Sequence, residues 1–199
     1  MPEPVSRPRV RRADAQRNRE RILAAARAAF ADPDAEVSMA EVARRAGVGM
    51  ATLYRNFPGR HELLEALYVD EVDALCAAAG EVPGDTPGAR LEAWLRRFVA
   101  WFTAKHAIAG ALLEHTDRDN PVFEGSRARV VAAGAPLLAA AQEAGDVRDD
   151  LTLDQVLDLI VGVAGVRGDP EYLEPLLRTV FDGLQRRSTS QTSTAGRPA

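Results

Sequence analysis

Residues 38–57 read Ser38-Met39-Ala40-Glu41-Val42-Ala43-Arg44-Arg45-Ala46-Gly47-Val48-Gly49-Met50-Ala51-Thr52-Leu53-Tyr54-Arg55-Asn56-Phe57, and the fold turns on how this stretch is parsed. Ser38 and Glu41 stand in Ser-x-x-Glu spacing, which predicts a capping box at a helix start. Met39, Val42, Ala43 and Ala46 then recur at helical spacing and give a short helix one apolar face. Gly47 ends it, because glycine takes the left-handed backbone that a tight turn demands. A further short helix over residues 49–57 is stopped by Pro58-Gly59; it is too short to stand alone and must be held through Val48, Leu53 and Phe57. Two short helices across a glycine turn are the parts of a helix-turn-helix, whose second helix fits the major groove of DNA.

Outward from this stretch the chain keeps helical spacing nearly throughout, with no convincing run of period-two alternation. A helix over residues 14–31 buries Ile22, Ala26, Ala29 and Phe30, and stops at Asp32-Pro33-Asp34 because the residue before proline avoids helical geometry. A bridging helix over residues 60–79 carries Leu63, Leu64, Leu67 and Leu75. Thr86-Pro87 opens a helix ending near Lys105, and a short helical piece follows over residues 108–115. A long helix begins at Asn120-Pro121 and halts at Gly145. Thr152 and Gln155 repeat the capping-box pattern ahead of residues 153–166, which are apolar on more than one side. Asp169-Pro170 caps a last helix striped by Leu173, Leu176, Leu177, Val180, Phe181 and Leu184.

The expected fold is therefore all-α, a three-helix head with a helix-turn-helix joined to a helical C-terminal domain. The expected divisions are a disordered basic arm at 1–13, the head at 14–60, the helical body at 61–187 and a disordered Ser/Thr/Gly/Pro tail at 188–199.

Composition narrows the function. The net charge of −4 divides unevenly, with 12 arginines against 7 acidic residues up to residue 60 and 13 basic against 22 acidic residues beyond it. A basic head faces something anionic, and a mildly acidic body is repelled by the same polyanion. The single cysteine, Cys76, forms no intrachain disulfide and seeds no zinc site. No apolar run reaches the roughly 18 residues of a membrane span, and the N-terminus lacks the apolar core of a secretory signal, so a cytoplasmic protein without membrane attachment is expected. No phosphate-binding loop, metal-spaced cluster or nucleophile–base pair is legible, which argues against an enzyme and against any cofactor or metal.

Ile22-Leu23, Ala26 and Phe30, then Ser38-Met39 and Val42-Ala43, then Ala46-Gly47-Val48, Thr52-Leu53-Tyr54-Arg55-Asn56-Phe57, Arg60 and Leu63-Leu64 together resemble the N-terminal domain of the TetR family of bacterial regulators over residues 14–68. The body, through Glu71–Leu75, Trp94–Phe98, Ala135–Leu138 and Asp182–Leu184, is similar to the SbtR-like branch of that family. The resemblance implies a transcriptional regulator, with repression the family expectation. It implies DNA contacts from Arg44, Arg45, Met50, Ala51, Thr52, Tyr54, Arg55 and Arg60. Thr52 and Tyr54 would give hydroxyls to phosphates, Met50 and Ala51 methyl contacts to thymine, and Arg60 a phosphate contact where the family commonly has lysine. Arg7, Arg9, Arg11 and Arg12 are placed to act as a minor-groove arm. The sequence departs from the family at Gly49, which replaces the usual Ser or Thr cap, and in the loop 32–37, which lacks the usual glycine.

A palindromic operator needs two heads roughly 34–36 Å apart, so a homodimer is implied, formed through the helices at 153–166 and 173–184. Trp94, Phe98, Trp101, Phe102, His115 and Phe123 are the residues that would contact an unidentified small-molecule ligand, with His106 or Arg167 as further polar candidates. An aromatic stripe at helical spacing is equally the mark of a packed core. A protein-interaction module that has lost DNA stays open as an alternative, separable by the salt dependence of binding.

Overall fold

The structure, a computed structural model, describes residues 7–30, 37–113 and 121–186; the side chains at 7–12, 104–109, 111 and 113 lie outside that description. Through the described residues run α1 (Arg7–Phe30), α2 (Met39–Ala46), α3 (Met50–Asn56), α4 (Arg60–Ala78), α5 (Pro87–Leu113), α6 (Pro121–Glu143), α7 (Leu153–Ala164) and α8 (Pro170–Leu184). The all-α architecture holds; the only β feature among the described residues is one isolated bridge between Val147 and Gln185. No described helix is long and apolar enough to cross a membrane.

Most helix ends fall where local chemistry puts them. Gly47 closes α2 at φ +62°, donating its N–H toward the Ala43 and Arg44 carbonyls. Gly145 follows α6 at φ +75°. At α7 the capping box is complete, Thr152 and Gln155 each bonding the other's backbone. Asp169 accepts the Tyr172 N–H at 2.8 Å, with Pro170 in the first turn of α8. The box expected at α2 is only half made. Ser38 Oγ accepts the Glu41 N–H at 3.2 Å, but the Glu41 carboxylate turns forward to Arg44 and Arg45.

Two boundaries differ from expectation. Helix α1 begins at Arg7, not at residue 14, so residues 7–13 of the expected disordered arm are helical. Pro8 falls in the first turn, where its missing N–H has no intrahelical partner to lose. Helix α5 continues unbroken to Leu113 and absorbs the separate piece expected at 108–115. Its Ala-rich second half contains no proline, and the one glycine, Gly110, costs about 1 kcal/mol, too little to break a helix of this length. The readings made for residues 1–6, 31–36, 114–120 and 187–199 lie outside the described residues.

The chain forms two compact units, neither contiguous in sequence: Met1–Ala78 with Ala100–Val130, and Ala79–Val99 with Val131–Ala199. Within the first unit α4 packs on α1, and Leu63, Leu64 and Leu67 are buried, as are Ile22, Ala26 and Leu53. Further along α4, the Tyr68 ring meets Trp101 at 6.0 Å and Phe123 edge-on at 5.3 Å. Burial raises the Tyr68 pKa.

The second unit is built around Trp94, fully buried and stacked with Phe98 at 6.4 Å. Leu91, Leu95, Val156, Leu157, Ile160 and Phe181 complete this core, and Arg96 lies over the Phe181 ring at 4.6 Å. Gly134 is where α6 lets the indole in: a Cβ there would stand 2.4 Å from two Trp94 ring atoms and 2.8 Å from Leu153 Cδ2. Gly125, on the same helix, has nothing within 4 Å of that position.

The two glycines therefore predict opposite responses. Gly134→Ala should lower stability, since overpacking a stiff, buried indole costs about 1–3 kcal/mol against a helix-propensity return of about 1 kcal/mol. Gly125→Ala should raise it by up to about 1 kcal/mol. Urea midpoints at unchanged m-value test the pair, and a Gly134→Ala midpoint at or above wild type would contradict this packing.

Candidate nucleic-acid interface

Helix α3 has seven residues, too few to be stable without tertiary support. Leu53, on its inner side, has no exposed surface, and Phe57 just beyond its end is almost as deep. Gly49 offers its carbonyl to the N–H groups of Thr52 at 2.9 Å and Leu53 at 3.0 Å, so the first turn closes without the missing side-chain cap. The turn before it is fixed from two sides. Val48 N–H bonds the Ala43 carbonyl at 3.1 Å, and Arg21 of α1 donates to the Gly47 carbonyl at 3.2 Å.

Burying Leu53 turns the opposite face of α3 outward. Met50 is 39% and Tyr54 47% exposed, Ala51 and Arg55 are exposed, and Thr52 and Asn56 are half-buried. Arg55 donates to Thr52 Oγ1 at 3.0 Å, and Asn56 to the Thr52 carbonyl at 2.8 Å. These bonds hold the polar side chains of the helix against one another. The structure thus brings Met50, Ala51, Thr52, Tyr54 and Arg55 onto one short element, with Arg44 and Arg45 at the end of α2 just before the turn.

Arg60 stands apart from that group. Its Nη1 donates to the Val37 carbonyl and its guanidinium lies 5.5 Å from the centre of the Phe30 ring, so it staples the start of α4 to the segment leading into α2. Two arginines of α1 that the sequence reading did not single out belong to this region. Arg21 holds the turn, and Arg19 covers the Phe57 ring at 4.6 Å. Their place among the arginines of residues 7–27 was a visible signal, but which of them reach the turn depends on how α1 crosses α2 and α3.

The six aromatic and histidine positions expected to contact a ligand fall in both units and, for one, outside the described residues. Trp94 and Phe98 belong to the core of one unit, while Trp101, half-buried Phe102 and Phe123 belong to the other. His115 lies outside the described residues, as does the side chain of His106, and Arg167 is exposed. Tyr68, the centre of the aromatic group with Trp101 and Phe123, was missed. Its signal was its place one turn after Leu64 on the buried stripe of α4.

A capped helix, a left-handed glycine turn and a short outward-facing helix with arginines alongside define a helix-turn-helix DNA-binding protein. Residues 22–67 match the model of bacterial regulatory proteins of the tetR family, and residues 86–186 match the C-terminal domain of SbtR-like transcriptional regulators. Among solved structures, a TetR transcriptional regulator of Streptomyces coelicolor is 36% identical with a TM-score of 0.72, the match covering 85% of this chain and 99% of that one. A TetR transcription regulatory protein of Mycobacterium vanbaalenii is 35% identical at TM-score 0.71, over 87% of this chain and 98% of its own. A TetR regulator of Marinobacter aquaeolei, 19% identical at TM-score 0.57 over 88% and 100% of the two chains, shares the fold. No curated protein matches. The chain belongs to the TetR family of transcriptional regulators.

Electrostatics at the end of α2 yield a pH prediction. Hydrogen bonds from Arg44 and then Arg45 lower the Glu41 pKa to about 2 from an ordinary 4.5. A carboxylate depressed in the folded state adds stability above its unfolded pKa and loses it as pH falls toward the folded one. The melting temperature of the wild type should therefore fall more between about pH 5 and pH 2.5 than that of Glu41→Gln. Parallel melting curves over this window would show that the three side chains are not paired in solution.

Proposed function

We propose that the chain is a repressor that binds a palindromic operator as a homodimer, through Met50, Ala51, Thr52, Tyr54 and Arg55 with Arg44 and Arg45, and is released by a small-molecule ligand. The observation that carries the DNA reading is the outward face of α3 above buried Leu53. Tyr54 in particular presents a hydroxyl on this exposed face, and a phosphate oxygen is a fitting acceptor for it. Arg60 belongs to the same reading: it is exposed and bonds Val37 through Nη1 alone, so its other N–H groups can meet a phosphate while it holds α4.

Dimerisation is supported by apolar surface that the single chain leaves uncovered. Leu159 is 49% exposed on α7 and Tyr172 58% on α8, with Val166 and Leu176 exposed nearby. Beside Leu159, residues Leu151, Gly162 and Val163 line a shallow apolar groove. Helices α7 and α8 pack on each other, so a second copy of the same pair would bury both faces in a four-helix contact.

Release is supported by the connections of α4. Arg27 of α1 bonds Asp70 at 2.5 Å and also Glu71, and Arg129 of α6 pairs with Asp73. These ion pairs adjoin the Tyr68–Trp101–Phe123 group along α4. A ligand that wedges this group apart shifts the helix to which the head is tied, and it acts by binding the shifted arrangement better.

Selection of duplexes from a randomised library, followed by anisotropy titration, tests the DNA reading. Tyr54→Phe should weaken binding about 2- to 10-fold on every sequence alike, the loss of one hydrogen bond. Enrichment of no duplex by the wild type would refute it. For the dimer, Leu159→Asp should give a monomer by sedimentation and abolish operator binding, whereas a dimer that persists would place the interface elsewhere.

A further inference from the structure

Glu41 occupies the third position of α2, from which a glutamate ordinarily reaches back to the N-cap N–H. Here it faces forward. Arg44 presents Nε to one carboxylate oxygen and Nη2 to the other, both at 2.8 Å, and Arg45 adds Nε at 2.6 Å. The two arginines are thus held differently. The bidentate pair occupies the Nε–Nη2 edge of the Arg44 guanidinium, one of the two edges that can fork onto a base or phosphate. Arg45 is held by its inner nitrogen, and both terminal nitrogens are left for another partner among the described residues. Arg45 is also the less exposed, its side chain 37% exposed against 73% for Arg44.

The charges carry the same asymmetry. Two guanidiniums against one carboxylate leave a single net positive charge at the end of the helix that crosses the DNA backbone. Hydrogen bonding to both arginines keeps Glu41 ionised at any physiological pH. A carboxylate at a surface that meets phosphates opposes non-specific attraction, since that attraction scales with the number of charges delivered.

Resting on the DNA-binding reading above, we propose that Glu41 is a positioning and specificity-determining residue. It ties the inner edge of Arg44, aims the outer edge of Arg45 at a guanine edge or a phosphate, and offsets one positive charge so that random sequence binds weakly. Glu41 touches no DNA itself in this scheme; it acts through the two arginines.

The test uses full-length protein, the duplex that the wild type enriches from a randomised library, and a scrambled duplex of the same composition, titrated over a series of salt concentrations. Glu41→Gln should bind the scrambled duplex several-fold tighter, with a log–log salt slope steeper by about 1. Its preference for the enriched duplex should fall about 10-fold. Arg45→Lys should keep the wild-type salt slope while losing preference, because an ammonium keeps the charge but not the fork. Circular dichroism melting confirms that each variant folds. Equal weakening on both duplexes with an unchanged slope would mean that Glu41 only stabilises α2 and would overturn the proposal, as would a preserved preference. A wild type that enriches no duplex overturns the DNA-binding reading and this proposal together. A wild type that enriches one, beside a Glu41→Gln that behaves identically, overturns only the role of Glu41.

Discussion

The burial of Leu53 beneath α3 is the contact on which the rest of the structure depends. A seven-residue helix has no stability of its own, so its orientation is set by what its one fully buried side chain enters. Helices α1 and α2 pack on α3, and Ile22 and Ala26 of α1, and Val42, Ala43 and Ala46 of α2, are buried with it. Once Leu53 is inside, Ala51 and Arg55, two positions to either side of it, are outside by helical geometry alone. The outward face of α3 is thus a consequence of the core, and its exposure needs no separate cause.

Arginine is used in this molecule in two ways that composition does not separate. Some arginines are structural straps: Arg21 on the Gly47 carbonyl, Arg60 on Val37 and Phe30, Arg27 on Asp70 and Glu71. Others stand at the surface, held in place by a neighbour, as Arg55 is by Thr52 and Arg45 by Glu41. A basic head is therefore less basic toward DNA than its charge implies. Several of its positive charges are already answered within the protein, and these exposed pairs add little to stability while setting where each guanidinium points.

Local chemistry was legible in advance wherever a few neighbouring residues decide the outcome. The Ser38 cap, the left-handed Gly47, the Thr152–Gln155 box and the Asp169-Pro170 start each concern backbone groups within a few residues, and each is found as read. The readings that changed involve groups further apart or in competition. Glu41 had two sets of donors within reach, the N-cap behind and two arginines ahead, and charge-assisted bonds to the arginines prevail. Helix α5 extends because nothing in its second half is strong enough to stop it, whereas a weakening of the apolar stripe after Lys105 looked like an end.

The candidate site divides along the same line. Sequence by itself determined the all-α class, the helix-turn-helix between Ser38 and Phe57, and the outward residues of α3, because turn chemistry and the 3.6-residue period act over distances of one or two turns. Only the tertiary structure decided that Arg60 straps Val37, that Arg19 and Arg21 brace the turn, and that the aromatic residues of α5 divide between two units with Tyr68 beside Trp101 and Phe123 in one. These are contacts between residues 20 or more positions apart, and no local preference of the chain encodes which distant partner a side chain will meet.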